Sequence, residues 1–230
     1  MKTIGLLGGM SWESTVTYYQ TINRVVGREL GGLHSARINL HSVEFDEIQQ
    51  LQHVGKWRET GVILADAAKA IERAGADLLV LCTNTMHIVA PQVEEAVGMP
   101  FLHIADATAA RIKEAGIDRI GLLGTRFTME EQFYRGRLEE KHNLAVVTPN
   151  EADRGIVHRV IYEELCRGKI DESSRAEYAR IVAALISDGA QGVILGCTEI
   201  GLLLRQQDSP VPLFDTAHIH AEAAALTALN

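Results

Sequence analysis

The chain has 230 residues, with 22 Lys and Arg against 30 Asp and Glu, for a formal net charge of −8. That acidic balance argues against nucleic acid as a default partner, because phosphate binding asks for a basic face. No run of about 18 apolar residues occurs, so no helix is expected to span a membrane. Residues 3–8 already read as a strand, without the basic, apolar and small-residue regions of a signal peptide. Cys82, Cys166 and Cys197 are too few and too widely spaced for a disulfide framework, so the expected compartment is the cytoplasm.

In chain order, continuous apolar runs predict strands at 3–8, 37–43, 77–82 and 100–104, then at 118–123, 144–148, 191–196 and 212–214. Helical patterns lie between them near 12–29, 57–74, 86–97, 105–115, 129–141, 152–167, 173–188 and 217–229. Thr128 and Glu131 have the spacing of a capping box opening the 129–141 helix. Alternating strand and helix predicts an α/β protein with parallel-type sheets flanked by helices.

The pattern runs twice. Ile4-Gly5-Leu6-Leu7-Gly8 returns as Ile120-Gly121-Leu122-Leu123-Gly124, 116 residues later. The stretch from Gly75 to Thr85 returns from Gly189 to Glu199 at an offset of 114, which sets Thr83 opposite Cys197. Met99-Pro100-Phe101-Leu102 resembles Val211-Pro212-Leu213-Phe214 at an offset of 112. Two pseudo-symmetric duplicated domains follow, expected at 1–104 plus about 215–230 and at about 105–214.

Parallel sheets bind ligands beyond the carboxyl ends of their strands. Gly8-Gly9-Met10-Ser11, Thr83-Asn84-Thr85, Gly124-Thr125 and Cys197-Thr198-Glu199 all fall there, each leading into a helix start where free N–H groups attract anions. A small carboxylate is the ligand that suits these turns. Met10, Asn84, Thr85, Thr125, Thr198 and Glu199 are the candidate substrate contacts. The glycine-rich opening lacks both the Gly-Lys-Ser/Thr ending of a P-loop and the dinucleotide spacing, so no nucleotide cofactor is expected. His218-x-His220 and Cys82…His87 do not build a four-ligand set, so no metal is expected either. Cys197, at a helix start, is expected to have its thiol pKa drawn from about 8.5 toward neutrality. Cys82 and Cys166 read as structural.

These motifs resemble the aspartate/glutamate racemase family: Gly-Gly-Met-Ser at the start, Thr83-Asn84-Thr85 followed by Met86-His87, and Gly196-Cys197-Thr198-Glu199. Glu199 is similar to aspartate-type members, where dedicated glutamate racemases usually carry histidine. The resemblance implies two pseudo-symmetric domains with the active site in the interdomain cleft, a homodimer, and cofactor-independent isomerase chemistry without pyridoxal phosphate. It also implies one cysteine on each face of the substrate Cα. This chain departs from that pattern, because Thr83 stands where the first cysteine belongs and Cys82 falls one residue early. Cys197 and Thr83 are therefore the expected catalytic pair, with Cys197 the stronger acid/base and the two enantiomers handled unequally. A covering segment at 44–58 is expected to meet the distal substrate group, through Gln52 in preference to Gln49, Gln50, Lys56 or Arg58, while Arg167 and Lys169 of the second domain read more readily as solvated surface charge than as further contacts. The alternatives are a single-cysteine decarboxylase of malonate-type acids and a non-catalytic dicarboxylate-binding module.

Overall fold

The computed structural model describes residues 1–230. It divides into two compact units, Met1–Ile104 with His220–Asn230, and Ala105–Ile219.

The first unit is built on a four-stranded parallel sheet of β1 (Ile4–Gly8), β2 (Ile38–Ser42), β3 (Leu78–Leu81) and β4 (Phe101–Leu102), in the order β2-β1-β3-β4. The second repeats it with β5 (Arg119–Gly124), β6 (Ala145–Val147), β7 (Val193–Gly196) and β8 (Leu213–Asp215), in the order β6-β5-β7-β8. Even the register is duplicated. Leu6 pairs with Val80 in the first sheet, and their repeat counterparts Leu122 and Ile194 pair in the second. The α/β class and the two parallel, helix-flanked sheets are thus as the sequence implies.

The inner strands are buried on both faces, which explains their unbroken apolar runs. β2, at a sheet edge, is half-exposed and correspondingly mixed. The repeated glycine in each first strand admits a helix close to the sheet. A Cβ on Gly5 would strike the Ile71 side chain, and one on Gly121 would approach Leu185 Cδ1 to 3.0 Å. Those partners lie in the helices Trp57–Arg73 and Glu172–Ser187.

Side-chain caps set where helices begin. Ser11 Oγ accepts from Ser14 N–H at 3.4 Å to open Trp12–Leu30. Asn150 Oδ1 accepts from Asp153 N–H at 3.0 Å to open Glu151–Glu163. The expected capping box does not form. Thr125, not Thr128, is the cap, its Oγ1 accepting from Thr128 N–H at 3.3 Å, while Thr128 lies buried inside the helix Arg126–Glu130. Glu131 then turns extended, at φ −85° and ψ 153°, and breaks the expected 129–141 helix.

After Gln132–Gly136 the chain widens into a π turn, Arg137–Lys141. That turn gathers three basic groups on Asp106: Arg137 Nε and Nη2 at 2.7 Å, Lys141 Nζ at 2.7 Å and His142 Nε2 at 2.8 Å. Burial alone would raise this carboxyl, but the basic neighbours outweigh it and hold the group well below the usual carboxylate range.

Two helices are unforeseen, Phe45–His53 and Ile200–Leu203. The expected 86–97 helix is a 3-10 turn, Thr85–Val89, followed by Ala90–Glu95. No helix is long and apolar enough to cross a membrane.

Candidate active site

Each unit carries its own cluster of candidate residues at the carboxyl ends of the two central strands of its sheet. In the first unit, β1 runs into Gly9, whose φ of +96° an L side chain rarely adopts and whose Cβ would collide with the Val43 backbone. The Gly9 N–H donates to Thr15 Oγ1 at 2.9 Å, and Thr15 Oγ1 donates in turn to the Ser11 carbonyl at 2.8 Å. The turn is therefore held from below by its own helix. Met10 packs its side chain into the apolar core with Leu7, Ile48 and Leu81. Any contact it makes with a polar ligand falls to its backbone.

β3 ends at Leu81. Cys82 follows, fully buried, its Sγ 3.7 Å from the Val80 carbonyl. Burial pushes its thiol well above the ordinary range, in keeping with a structural residue. Thr83, Asn84 and Thr85 are all buried polar residues at the start of the 3-10 turn. The Thr83 carbonyl accepts from His87 Nδ1 at 2.7 Å. His87 Nε2 accepts from the Ile104 N–H at 3.3 Å. Gln52 is buried late in the helix Phe45–His53. The covering segment is thus largely helical, and it leaves Lys56 and Arg58 exposed.

In the second unit, Thr125 follows β5 and spends its hydroxyl on the helix cap and on Thr128 Oγ1, 3.2 Å away. β7 ends at Gly196. Cys197 Sγ–H donates to Glu199 Oε2 at 3.0 Å, and Thr198 Oγ1 donates to the same oxygen at 2.8 Å. Glu199 is itself 2% exposed. The Cys197 thiol is not drawn toward neutrality as the sequence suggests. Burial first, and then the Glu199 carboxylate and Cys166, hold its pKa well above the ordinary value. The helix that follows, Ile200–Leu203, has only four residues, too few for its dipole to offset a buried carboxylate two residues away.

Asp215, at the end of β8, joins this acidic side. Its Oδ1 accepts from the N–H groups of Ala217 at 3.0 Å and His218 at 3.1 Å. Burial, and to a lesser degree Glu199, nonetheless raises its pKa. Arg167 and Lys169 are exposed. The sequence reading passes over Asp215 and gives His87 only within a motif and in the rejected Cys82…His87 metal pair. The repeat could have flagged both, since it sets His87 opposite Gly201 and His103 opposite Asp215.

Duplicated four-stranded parallel sheets, with Thr83 and Cys197 after equivalent strands, define a class of internally repeated α/β proteins. This chain belongs to the Asp/Glu/hydantoin racemase family, whose model matches residues 7–224. It is similar to the crystal structure of a candidate Asp/Glu racemase from Yersinia pestis, at 58% identity and TM-score 0.94, with all of both chains covered. An aspartate racemase homologue from Pyrococcus horikoshii shows 38% identity and TM-score 0.85, again over all of both chains. The broad-specificity amino-acid racemase RacX of Bacillus subtilis is 22% identical over 173 residues, 72% of this chain and 71% of that protein.

Proposed function

We propose that the protein is a cofactor-independent racemase of aspartate, glutamate or a wider set of amino acids, with Cys197 and Thr83 serving opposite faces of the substrate Cα. The observation that carries this reading is the equivalence of these two residues in the duplicated sheets: each follows the third strand of its unit in chain order, β7 and β3.

An α-hydrogen is weakly acidic, so its removal needs a positioned base and donors that stabilise the charge forming on the carboxylate. Cys197 has an acceptor for its own proton in Glu199 Oε2, at 3.0 Å. We read Glu199 as that acceptor. Once the proton has passed to Glu199, the thiolate takes the α-proton. The Thr83 hydroxyl delivers a proton to the other face and inverts the centre, and its oxygen is reprotonated through solvent as Glu199 releases the proton it took. A hydroxyl is a far weaker base than a thiolate near neutral pH, so reaction begun from the Thr83 face is slow. The enzyme is therefore directional. The turns at Asn84, Thr85 and Thr198 supply donors for the α-carboxylate, and Gln52 meets the distal group. The active form is a homodimer, a reading taken from the family, and the few, widely spaced cysteines favour the cytoplasm.

The test is incubation in D2O with L-aspartate, L-glutamate and neutral amino acids. Deuterium should enter at Cα and D-isomer should accumulate without added pyridoxal phosphate. A wild-type protein that exchanges nothing across the panel refutes the racemase reading. Carbon-dioxide release from substituted malonates would instead favour the single-thiol decarboxylase.

A further inference from the structure

The Thr83 half of the site holds an imidazole that the Cys197 half lacks. The Thr83 carbonyl, 2.7 Å from His87 Nδ1, can only accept, so Nδ1 carries the proton. The Ile104 N–H, 3.3 Å from Nε2, can only donate, so Nε2 offers its lone pair. The two contacts together require one neutral tautomer. Neighbouring rings restrict the imidazole: His103 at 4.4 Å between centroids, Phe101 at 5.6 Å and His220 at 6.1 Å. His220 is anchored in turn, donating from Nε2 to the Leu102 carbonyl at 2.8 Å.

We propose that His87 is a positioning residue that clamps the loop after β3 to the chain after β4 and so sets the direction in which the Thr83 hydroxyl delivers its proton. The inference deepens the racemase reading and rests on it. Threonine is β-branched and stiff about χ1, so its hydroxyl follows the orientation of its own backbone. A hydrogen bond to the carbonyl of residue 83 fixes the peptide plane leaving that residue, and with it the Cα–Cβ direction. The second unit has no such clamp. Gly201 stands at the repeat position of His87, and the Cys197 carbonyl accepts instead from the nearby Ile200 N–H at 3.0 Å.

Two rates in D2O separate positioning from mere support. Exchange with retention needs Cys197 alone, which removes a proton and returns a deuteron on one face. Inversion needs delivery from Thr83. In His87→Asn the side-chain amide nitrogen can take the place of Nδ1 and keep the Thr83 contact. In His87→Gln the amide oxygen can take the place of Nε2 and keep only the Ile104 contact. The ratio of inversion to retention should fall about tenfold in His87→Gln and stay within about threefold of wild type in His87→Asn, since small misplacements of a reacting group cost rates of this order. An unchanged ratio in both variants, even with both rates lowered together, overturns the proposal and leaves His87 as packing. Should His87→Gln fail to fold, imidazole ¹⁵N shifts of the wild type decide. A neutral Nδ1–H ring supports the clamp, and an Nε2–H ring overturns it. A wild type that exchanges nothing refutes the racemase reading alone, and the ¹⁵N measurement then still judges the clamp.

Discussion

The two units share a scaffold down to the strand register, yet the residues around Thr83 and around Cys197 are chemically different. Beside Thr83 stands the imidazole of His87, with the His103 ring against it, where the repeat in the second unit has Gly201 and Asp215. Around Cys197 the polar neighbours are acidic, with Glu199 on the thiol and Asp215 close by. A duplicated backbone thus sets Thr83 and Cys197 at equivalent strand ends, while a few substituted side chains give each a different surrounding. The thiol half has an acceptor for its own proton. Beside the hydroxyl, His87 Nδ1 holds the Thr83 carbonyl at 2.7 Å.

The largest expected effect comes from deleting the strong half. Cys197→Ala should lower α-hydrogen exchange by about 10³-fold or more, the scale of a lost general acid/base, as read by deuterium incorporation. Repairing the weak half should erase the contrast: Thr83→Cys should bring the rates from the two enantiomers toward equality, measured by chiral chromatography from each pure isomer. Thr83→Ala should instead abolish inversion and spare exchange with retention.

A subtler test concerns the acidic neighbour. The Glu199 carboxylate adds to the rise in the Cys197 pKa. In Glu199→Gln the thiol should therefore titrate at lower pH than in wild type, although burial still holds it above its ordinary value. Iodoacetamide alkylation rates against pH would show the shift, and a shift to higher pH would contradict the assigned role. The same variant should exchange roughly tenfold more slowly, having lost the acceptor for the thiol proton.

The smallest effect lies in stability. His220 is fully buried, accepts from Tyr18 O–H at 2.9 Å, and has its pKa lowered by burial from 6.5 to about 4. A base whose folded pKa lies below its unfolded value binds more protons when unfolded. Stability is then intact above about pH 6.5 and falls as pH drops toward about 4, by at most about 3 kcal/mol. His220→Gln keeps a donor for the Leu102 carbonyl and should flatten that stretch of the Tm-versus-pH curve.

The strands were legible because their apolar runs are unbroken, and the duplication because Gly5 and Gly121 each serve the same close helix contact. The helix Phe45–His53 was hidden, since only Ile48 and Gln52 of its nine residues are buried and so short a segment is a small window for a periodic pattern. The break at Glu131 turns on a single backbone conformation that residue types do not announce. Cys197 could be found from its place at a strand end, but the direction of its pKa could not. The helix-start argument counts backbone dipoles, whereas the fold buries the thiol and turns the Glu199 carboxylate onto it. His87 is the opposite case, visible as a residue but not as a device. Its second partner, Ile104, lies 17 residues away and meets it only in the folded sheet.

The route of the final helix, Thr216–Leu229, bears on how the molecule is made. Thr216 Oγ1 donates to the Leu195 carbonyl in the second unit at 2.8 Å, whereas residues from His220 onward belong to the first. Those late residues supply the His220 partner for Tyr18 and Leu102, and an Ala228 carbonyl that accepts from the Lys2 N–H at 2.8 Å. The amino-terminal unit is thus begun first in synthesis, yet it is the last to have all of its residues.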